Sequence, residues 1–559
     1  MDIRRRILSV TIYAAAAVFG CCSCISTSSE LGSDLLPLDQ QYDTYVVNIP
    51  IEEMEMRMAD SLSGYSQNRI TIGSIRDEHG LTRRGAAVSI VPCYDSLDFG
   101  SNPKFESFRM TIKRDTMSVA SESDRNMIQL INVYELQEST KDVYDINALE
   151  KGNIRHGNKR ITKGVPMFNG TDDTLGIDFN AEYGTAFMNK LIAMGLDGSK
   201  KTIDDYLNKL PGIYMETSDP VGNGGRINMF ELQLGFNSSY YYLTDNYAEL
   251  KFKSTYGTEE KDTSFLFYFC PDSLYKVDSL LYYGTAGNFP QYCLNVSSQE
   301  TRELAGPASD MMYIEGAGGL KPVISAKEIR SKLIDEIARN GGDAKSTVLN
   351  KVSLILPFEF PEDYLDMDKY PQILSPTCRV KSDDSDDYAF ANITDYSNSK
   401  ENQGDVDRSN LIYKPDITYH AQMLLEQNPE DKNFSNYDIW FLIMYREIDN
   451  SASSSAYESD QSDYYNNLMY ASYYNNMMYG GYGYGSYGYG GYGYNNYSNY
   501  YAYALMQQMY GSSSSSSVTY KKALDKDRYY RASLYGPEAT DAAKRPYMQV
   551  TYSIPKVSR

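Results

Sequence analysis

The sequence predicts a mainly β chain, built as tandem, jelly-roll-like β-sandwiches with a few short helices and one long Tyr/Gly loop of low complexity. Three observations carry that expectation. Short runs rich in Tyr, Phe, Ile, Val and Thr recur between Gly, Asp, Asn and Pro, the pattern of half-buried strands separated by turns. Convincing helical periodicity is confined to "GTAFMNKLIAMG", "ISAKEIRSKLIDEIARNG" and "DITYHAQMLLEQ". The two halves of the chain also repeat one order of elements, which suggests a duplication.

The first element is not part of any sandwich. The chain opens "MDIRRRILSVTIYAAAAVFGCCSC", with Arg4, Arg5 and Arg6 ahead of an apolar run from Ile7 to Phe19. At about 1.5 Å per residue that run spans roughly 20 Å, short of the roughly 30 Å hydrocarbon core of a bilayer. A basic start, a short apolar run and small residues behind it read as an export signal over residues 1–20. Cys21 follows Gly20 directly, and this arrangement resembles the bacterial lipobox, in which the cysteine thiol is acylated. Cys22 and Cys24 are the alternative acceptors. Residues 21–40 would then be a tether.

Residues 41–255 are expected to form the first sandwich. There "FRMTIKR" is followed by "INVYEL", the helical "AFMNKLIAMG", "GIYMETSD" and "ELKFKSTY". Residues 256–345 read as a connecting region, although "SFLFYFC" within it has the alternation of a strand that could still belong to the first sandwich. Residues 346–559 form the second sandwich, where "KVSLILPFEF" leads to "ITYHAQMLLEQ", "IWFLIMYRE", "RYYRASLYG" and "MQVTYSIP". A disordered Tyr/Gly/Ser-rich insertion at 450–520 interrupts it. That insertion includes "MMYGGYGYGSYGYGGYGYNNYSNYYAYA" (477–504), has no charged residue from Tyr464 to Tyr520, and contains six consecutive serines, Ser512 to Ser517. Ordering so glycine-rich a segment is entropically costly.

Five stretches together resemble one known family. They are "LGSDLLP" (31–37), "ITIGSIRDEHGLTRRGAAVSI" (70–90), "YIEGAGGLKPVISAKEI" (313–329), "LNKVSLILPFEFPED" (349–363) and "RYYRASLYGPEATDAAKRPYMQVTYSIP" (528–555). In this order they look like the Bacteroidota envelope lipoproteins catalogued as domain of unknown function 4270. The resemblance implies an envelope lipoprotein and brings no activity, cofactor or site residue with it.

Composition narrows the function classes. With 53 basic residues against 74 acidic ones and a formal charge of −21, the chain is poorly suited to nucleic acid, whose phosphates demand clustered Lys and Arg. The histidines His79, His156 and His420 are scattered, and no HExxH, GxSxG or Cys-His signature occurs, so no catalytic, metal or cofactor residues are expected. Gly483, Gly485 and Gly488 match a GxGxxG spacing only because the tract is saturated with glycine. Asp383, Asp384, Asp386 and Asp387 are suitable calcium ligands but lack the spacing of an EF-hand, and a solvated loop is the expectation. Cys93, Cys270, Cys293 and Cys378 could pair after export, yet Cys270 ends an apolar run where a buried thiol serves as well. Asp-Ser/Thr-aliphatic triplets centred on Ser61, Ser96, Thr116, Thr174, Ser273 and Ser279 resemble an O-glycosylation sequon of exported proteins. Trp440, in "DIWFLIMY", is expected in a core.

The function expected from the sequence is that of a non-catalytic outer-membrane lipoprotein. It would be attached through its lipid anchor and would bind or scaffold an outer-membrane protein or envelope complex. A cell-surface glycan-binding module is the alternative, since tyrosines could supply sugar-stacking rings.

Overall fold

The computed structural model describes residues 41–60, 62–66, 69–93, 97–115, 127–140, 143, 145–196, 201, 203–232, 235–237, 240–243, 245–269, 293–362, 364–381, 388–398, 403–449 and 519–556. The chain is mainly β and forms two sandwiches, as the alternation of its apolar runs predicts. The chain begins with β1 (Tyr42–Pro50) and β2 (Glu55–Met58), then β3 (Arg69–Asp77), β4 (Gly80–Val88), β5 (Ser101–Lys113) and β6 (Gln129–Leu136). Helix α1 (Ala181–Gly195) precedes β7 (Ile213–Thr217), β8 (Gly224–Glu231), β9 (Tyr247–Tyr256), β10 (Glu259–Phe269) and β11 (Cys293–Gln299). After β12 (Met311–Glu315) and β13 (Leu320–Ile324) come α2 (Ala326–Arg339), β14 (Val348–Pro357) and β15 (Ile373–Lys381). Helix α3 (Thr418–Glu426), β16 (Ile439–Asp449), β17 (Arg531–Tyr535) and β18 (Tyr547–Pro555) complete the set.

In the first sandwich a nine-stranded sheet, with β6, β7, β4 and β11 side by side and β3 linking β4 to β8, faces a five-stranded sheet centred on β5, β9 and β10. Phe108, Met110 and Ile112 of β5 and Phe252 of β9 fill the space between the sheets, with Ile131 and Val133 opposite on β6. Helix α1 starts where the Asn180 side chain accepts the amide of Tyr183 at 2.8 Å. It rests on β5 so closely that a Cβ on Gly184 would lie 2.3 Å from the Phe105 ring and would have to displace it.

In the second sandwich β1, β18 and β14 run side by side in one sheet, facing a seven-stranded sheet that contains β2, β13, β16 and β15. Helix α2 is capped by Ser325, which accepts the amide of Glu328. Glu328 itself accepts the amides of Glu52 and Glu53, tying the β1–β2 arch to the helix. Helix α3 is capped by buried Asp395, whose carboxylate accepts the amides of Tyr419 and His420, both at 2.8 Å. The order of elements repeats between the halves. β5 pairs with β9 and carries α1, while β14 pairs with β18 and carries α3.

The domain boundaries differ from those expected. β1 and β2, expected in the first sandwich with the rest of 41–255, belong to the second, β1 pairing with β18 over its full length. The region 256–345 is not a connector. Its β10 and β11 complete the first sandwich, whereas β12, β13 and α2 build the second. The first sandwich is therefore inserted between β2 and β12 of the second. Sequence order hid this because neighbouring segments usually pair with each other, whereas Thr44 and Ser553 meet across 509 positions. The insertion at 450–520 lies outside the described residues except for its last two positions, which begin the strand Thr519–Leu524 beside β16.

Candidate functional site

A network of charged residues lies where the sandwiches meet. Three of the distinctive stretches converge there: 70–90 through β3 and β4, 313–329 through β12 and β13, and 528–555 through β17. At its centre Glu315, 2 % exposed, accepts from the Thr301 hydroxyl at 2.7 Å, from the Leu320 amide at 3.0 Å and from the Arg531 guanidinium. Arg531 also donates to Asp77 of the first sandwich at 2.9 Å, and the Tyr529 hydroxyl donates to the same carboxylate at 2.7 Å. Lys321 donates to the carbonyls of Glu315, Ala317 and Gly319. Three acceptors match the three N–H bonds of an ammonium. Arg69 of β3 pairs with Asp115 and lies 3.6 Å from Asp527, so this contact also crosses between the sandwiches.

The loop "EGAGGLK" makes this approach possible. A Cβ on Gly316 would lie 2.6 Å from the Arg528 carbonyl, one on Gly318 2.6 Å from Asn147 and Ile146, and one on Gly319 2.5 Å from Glu315. Ala317, at φ 48, holds the left-handed conformation that bends the loop. Around the charges Ala59, Leu62, Ile146, Ala317, Val323, Phe390, Trp440 and Leu442 form an apolar collar. Trp440 is buried as expected, but its ring lies in this collar and not in the interior of its own sandwich. On the rim Arg302 pairs with Asp60 at 3.0 Å and Glu150 at 2.7 Å, and Lys526 donates to the Ser63 and Tyr65 carbonyls.

Burial and pairing pull these groups in opposite directions. Burial draws the Lys321 ammonium down to about 7, while the neighbouring Glu315 charge favours the proton. Burial lowers Arg84 to about 10 against the opposing pull of Asp527 and Glu315. For Arg531 burial also disfavours the charge, but Glu315, Tyr529 and Asp77 outweigh it and its pKa rises. Burial raises Asp527, opposed by Arg69 and Lys526. Glu315, Lys321 and Arg84 are at most 3 % exposed, so the centre of this cluster is closed to solvent, while the Arg531–Asp77 contact that joins the two units lies at its partly exposed edge.

Of the site residues expected from the sequence, Thr174 alone lies among the described residues. Cys21, Cys22 and Cys24 lie outside the described residues, as do Ser61, Ser96, Thr116, Ser273 and Ser279. Thr174 is described: it opens the strand Thr174–Asp178 at the edge of a sheet and is exposed. Two other triplets have their aspartates committed to the junction region, Asp60 to Arg302 and Asp115 to Arg69. Cys270, the Asp383–Asp387 loop and the three glycines at 483, 485 and 488 are outside the described residues. Cys93, Cys293 and Cys378 are buried free thiols. The histidines stay apart: His79 lies against Tyr313, His156 is stacked between Tyr134 and Tyr214, and His420 is buried beside Tyr437. Among the described residues no group of three His, Cys, Asp or Glu could hold a metal ion.

Arg84, Glu315, Lys321 and Arg531 were not singled out by sequence reasoning. The available signal was a charge set inside an apolar or glycine-rich run, as in "TRRGAAV", "YIEGAGGLKPV" and "YRASL". No family model matches the chain, and neither do any curated protein or solved structure.

Proposed function

We propose that this chain is a non-catalytic, lipid-anchored lipoprotein of the outer membrane, a member of the envelope family its distinctive stretches resemble. In this reading it serves as a rigid scaffold that docks an outer-membrane protein or envelope complex. The observation that carries the reading is the convergence of stretches 70–90, 313–329 and 528–555 on one junction whose centre is closed to solvent. What distinguishes the sequence is spent on holding two sandwiches at one angle, and a fixed angle preserves any surface composed from both. The anchor is supported by the basic start, the short apolar run and Gly20-Cys21. Each buried methylene of an acyl chain contributes about 0.8 kcal/mol, so a multiply acylated cysteine holds durably. The tyrosine-rich, charge-free composition of 464–520 supports a contact role, tyrosine being a preferred residue of protein interfaces.

Affinity purification of the tagged chain from solubilised outer membrane tests the docking role. A partner recovered in constant proportion to the chain is the expected result. Retention on immobilised glycans without any protein partner would replace it with the carbohydrate-binding alternative. The anchor has its own test. Cys21→Ser combined with Cys22→Ser and Cys24→Ser should move the protein into the soluble fraction, and retention in the membrane pellet refutes lipidation.

A further inference from the structure

β1 is the outermost strand of its sheet, paired with β18 from Tyr42↔Pro555 to Pro50↔Tyr547. Among the described residues, no main-chain or side-chain hydrogen bond joins its other side to a neighbouring strand. An unpaired edge is a template for another strand, and proteins ordinarily blunt it with brevity, proline or basic residues. Several other edges of this molecule are blunted in those ways, whereas Thr174–Asp178 and Tyr388–Asn392 carry neither proline nor a basic residue but run for only five residues each. Gly306–Pro307, Ile90–Pro92, Met167–Phe168 and Val406–Asp407 are two or three residues long. His156–Arg160 carries Lys159 and Arg160, and Thr519–Leu524 carries Lys521 and Lys522. β1 runs for nine residues with its one charge, Asp43, near the start and its one proline, Pro50, at the end. Between them the strand is open, and Val46 at its midpoint is 70 % exposed.

We propose that β1 is a homodimer edge: two copies pair antiparallel about Val46, joining their five-stranded sheets into one continuous sheet. The strand is complementary to itself in that register. Val46 meets Val46, Tyr45 meets Val47, Thr44 meets Asn48, Asp43 meets Ile49 and Tyr42 meets Pro50. No like charges face each other, and aromatic and β-branched residues supply favourable cross-strand pairs. Tyr45, Val47 and Ile49, which face the sandwich interior, would continue one core into the other. The two strand starts would lie about 30 Å apart at roughly 3.4 Å per residue. A tether of the length of 21–40 reaches at most about 70 Å, so both anchors can enter one membrane. The inference does not depend on which protein or glycan the scaffold docks.

The experiment uses the full-length chain in intact membranes, with Cys22→Ser and Cys24→Ser so that the tether contributes no competing thiol. Cross-strand Cα atoms in an antiparallel pair are about 4.5–5.5 Å apart, within reach of a disulfide. Val46→Cys should therefore form a linked dimer on mild oxidation, while Asn48→Cys, facing Thr44 of its partner, should link at least tenfold less. Val46→Lys should halve the mass measured by light scattering after solubilisation and leave the melting temperature unchanged. A Val46→Cys chain that stays unlinked overturns the proposal, and so does a dimer that persists in Val46→Lys.

Discussion

Inside the sandwiches Phe108 packs on Phe187 with ring centroids 4.7 Å apart, and Met548, Val550 and Tyr552 fill the second core. At the junction a sealed space is occupied by Glu315, Lys321 and Arg84, with Arg531 at its edge. The two regions both exclude water at their centres and do different things. Apolar burial is non-directional, so a core stabilises a sandwich without dictating how it meets another. Ion pairs and hydrogen bonds have preferred angles and distances, so a junction made of them holds one orientation. The difference teaches that the cores supply stability and the junction supplies geometry.

The largest expected effect tests the core side of that comparison. β18 lies between β1 and β14, and ending the chain at Pro546 removes the middle of that sheet. No soluble protein is expected in a fractionated lysate. Normal expression and melting of the truncated chain would show that β18 is dispensable.

Next is Glu315→Ala, which removes the carboxylate that pairs with Arg531 and offsets the buried charge of Lys321. Breaking a buried pair in this way costs about 3–5 kcal/mol. In urea the single transition of the parent should split as the sandwiches uncouple. The double variant Glu315→Leu, Arg531→Met should recover part of the loss, because removing both members of the pair also removes their desolvation. A double variant as unstable as Glu315→Ala would mean that the charges contribute more than orientation.

The pH dependence is smaller and has opposite signs in the two regions. Lys321 has a folded pKa lowered to about 7 from 10.5, so between these values the unfolded chain binds more protons and stability rises with pH. Asp395, beneath α3 in the second sandwich, is raised by burial to about 7 from 3.8, with the Tyr419 and His420 amides opposing. Between 3.8 and about 7 the folded chain binds more protons there, and stability falls as pH rises. Chemical denaturation from pH 7 to 9 should show a rise that Lys321→Met abolishes. From pH 5 to 7, Asp395→Asn should remove a fall. An unchanged slope in either variant assigns the effect elsewhere.

The smallest stability effect is expected from the tract. Loop closure cost grows slowly with length, so replacing Asn466–Ser516 with a short Gly/Ser linker should shift the melting temperature by only a few degrees. Partner recovery should fall. Unfolding would make the tract structural, and undiminished recovery would remove its contact role.

Much of this architecture was legible without coordinates. Apolar alternation marked β5, β9, β14, β16 and β18, and a 3.6-residue period marked α1, α2 and α3, because the face a residue turns to the core is a local property. The charge-free composition of 464–520 was likewise written in the local sequence. Tertiary structure alone decided which strands are partners. β1 carries the pattern of a strand, but nothing in that pattern names β18, since backbone hydrogen bonds are the same for every sequence. The insertion of one sandwich inside the other followed from that choice. It also decided that Glu315, Lys321 and Arg84 would share one closed space with Arg531 at its edge: a charge in a glycine-rich run looks the same whether it faces water or an opposite charge, and only the approach of the second sandwich removes the water.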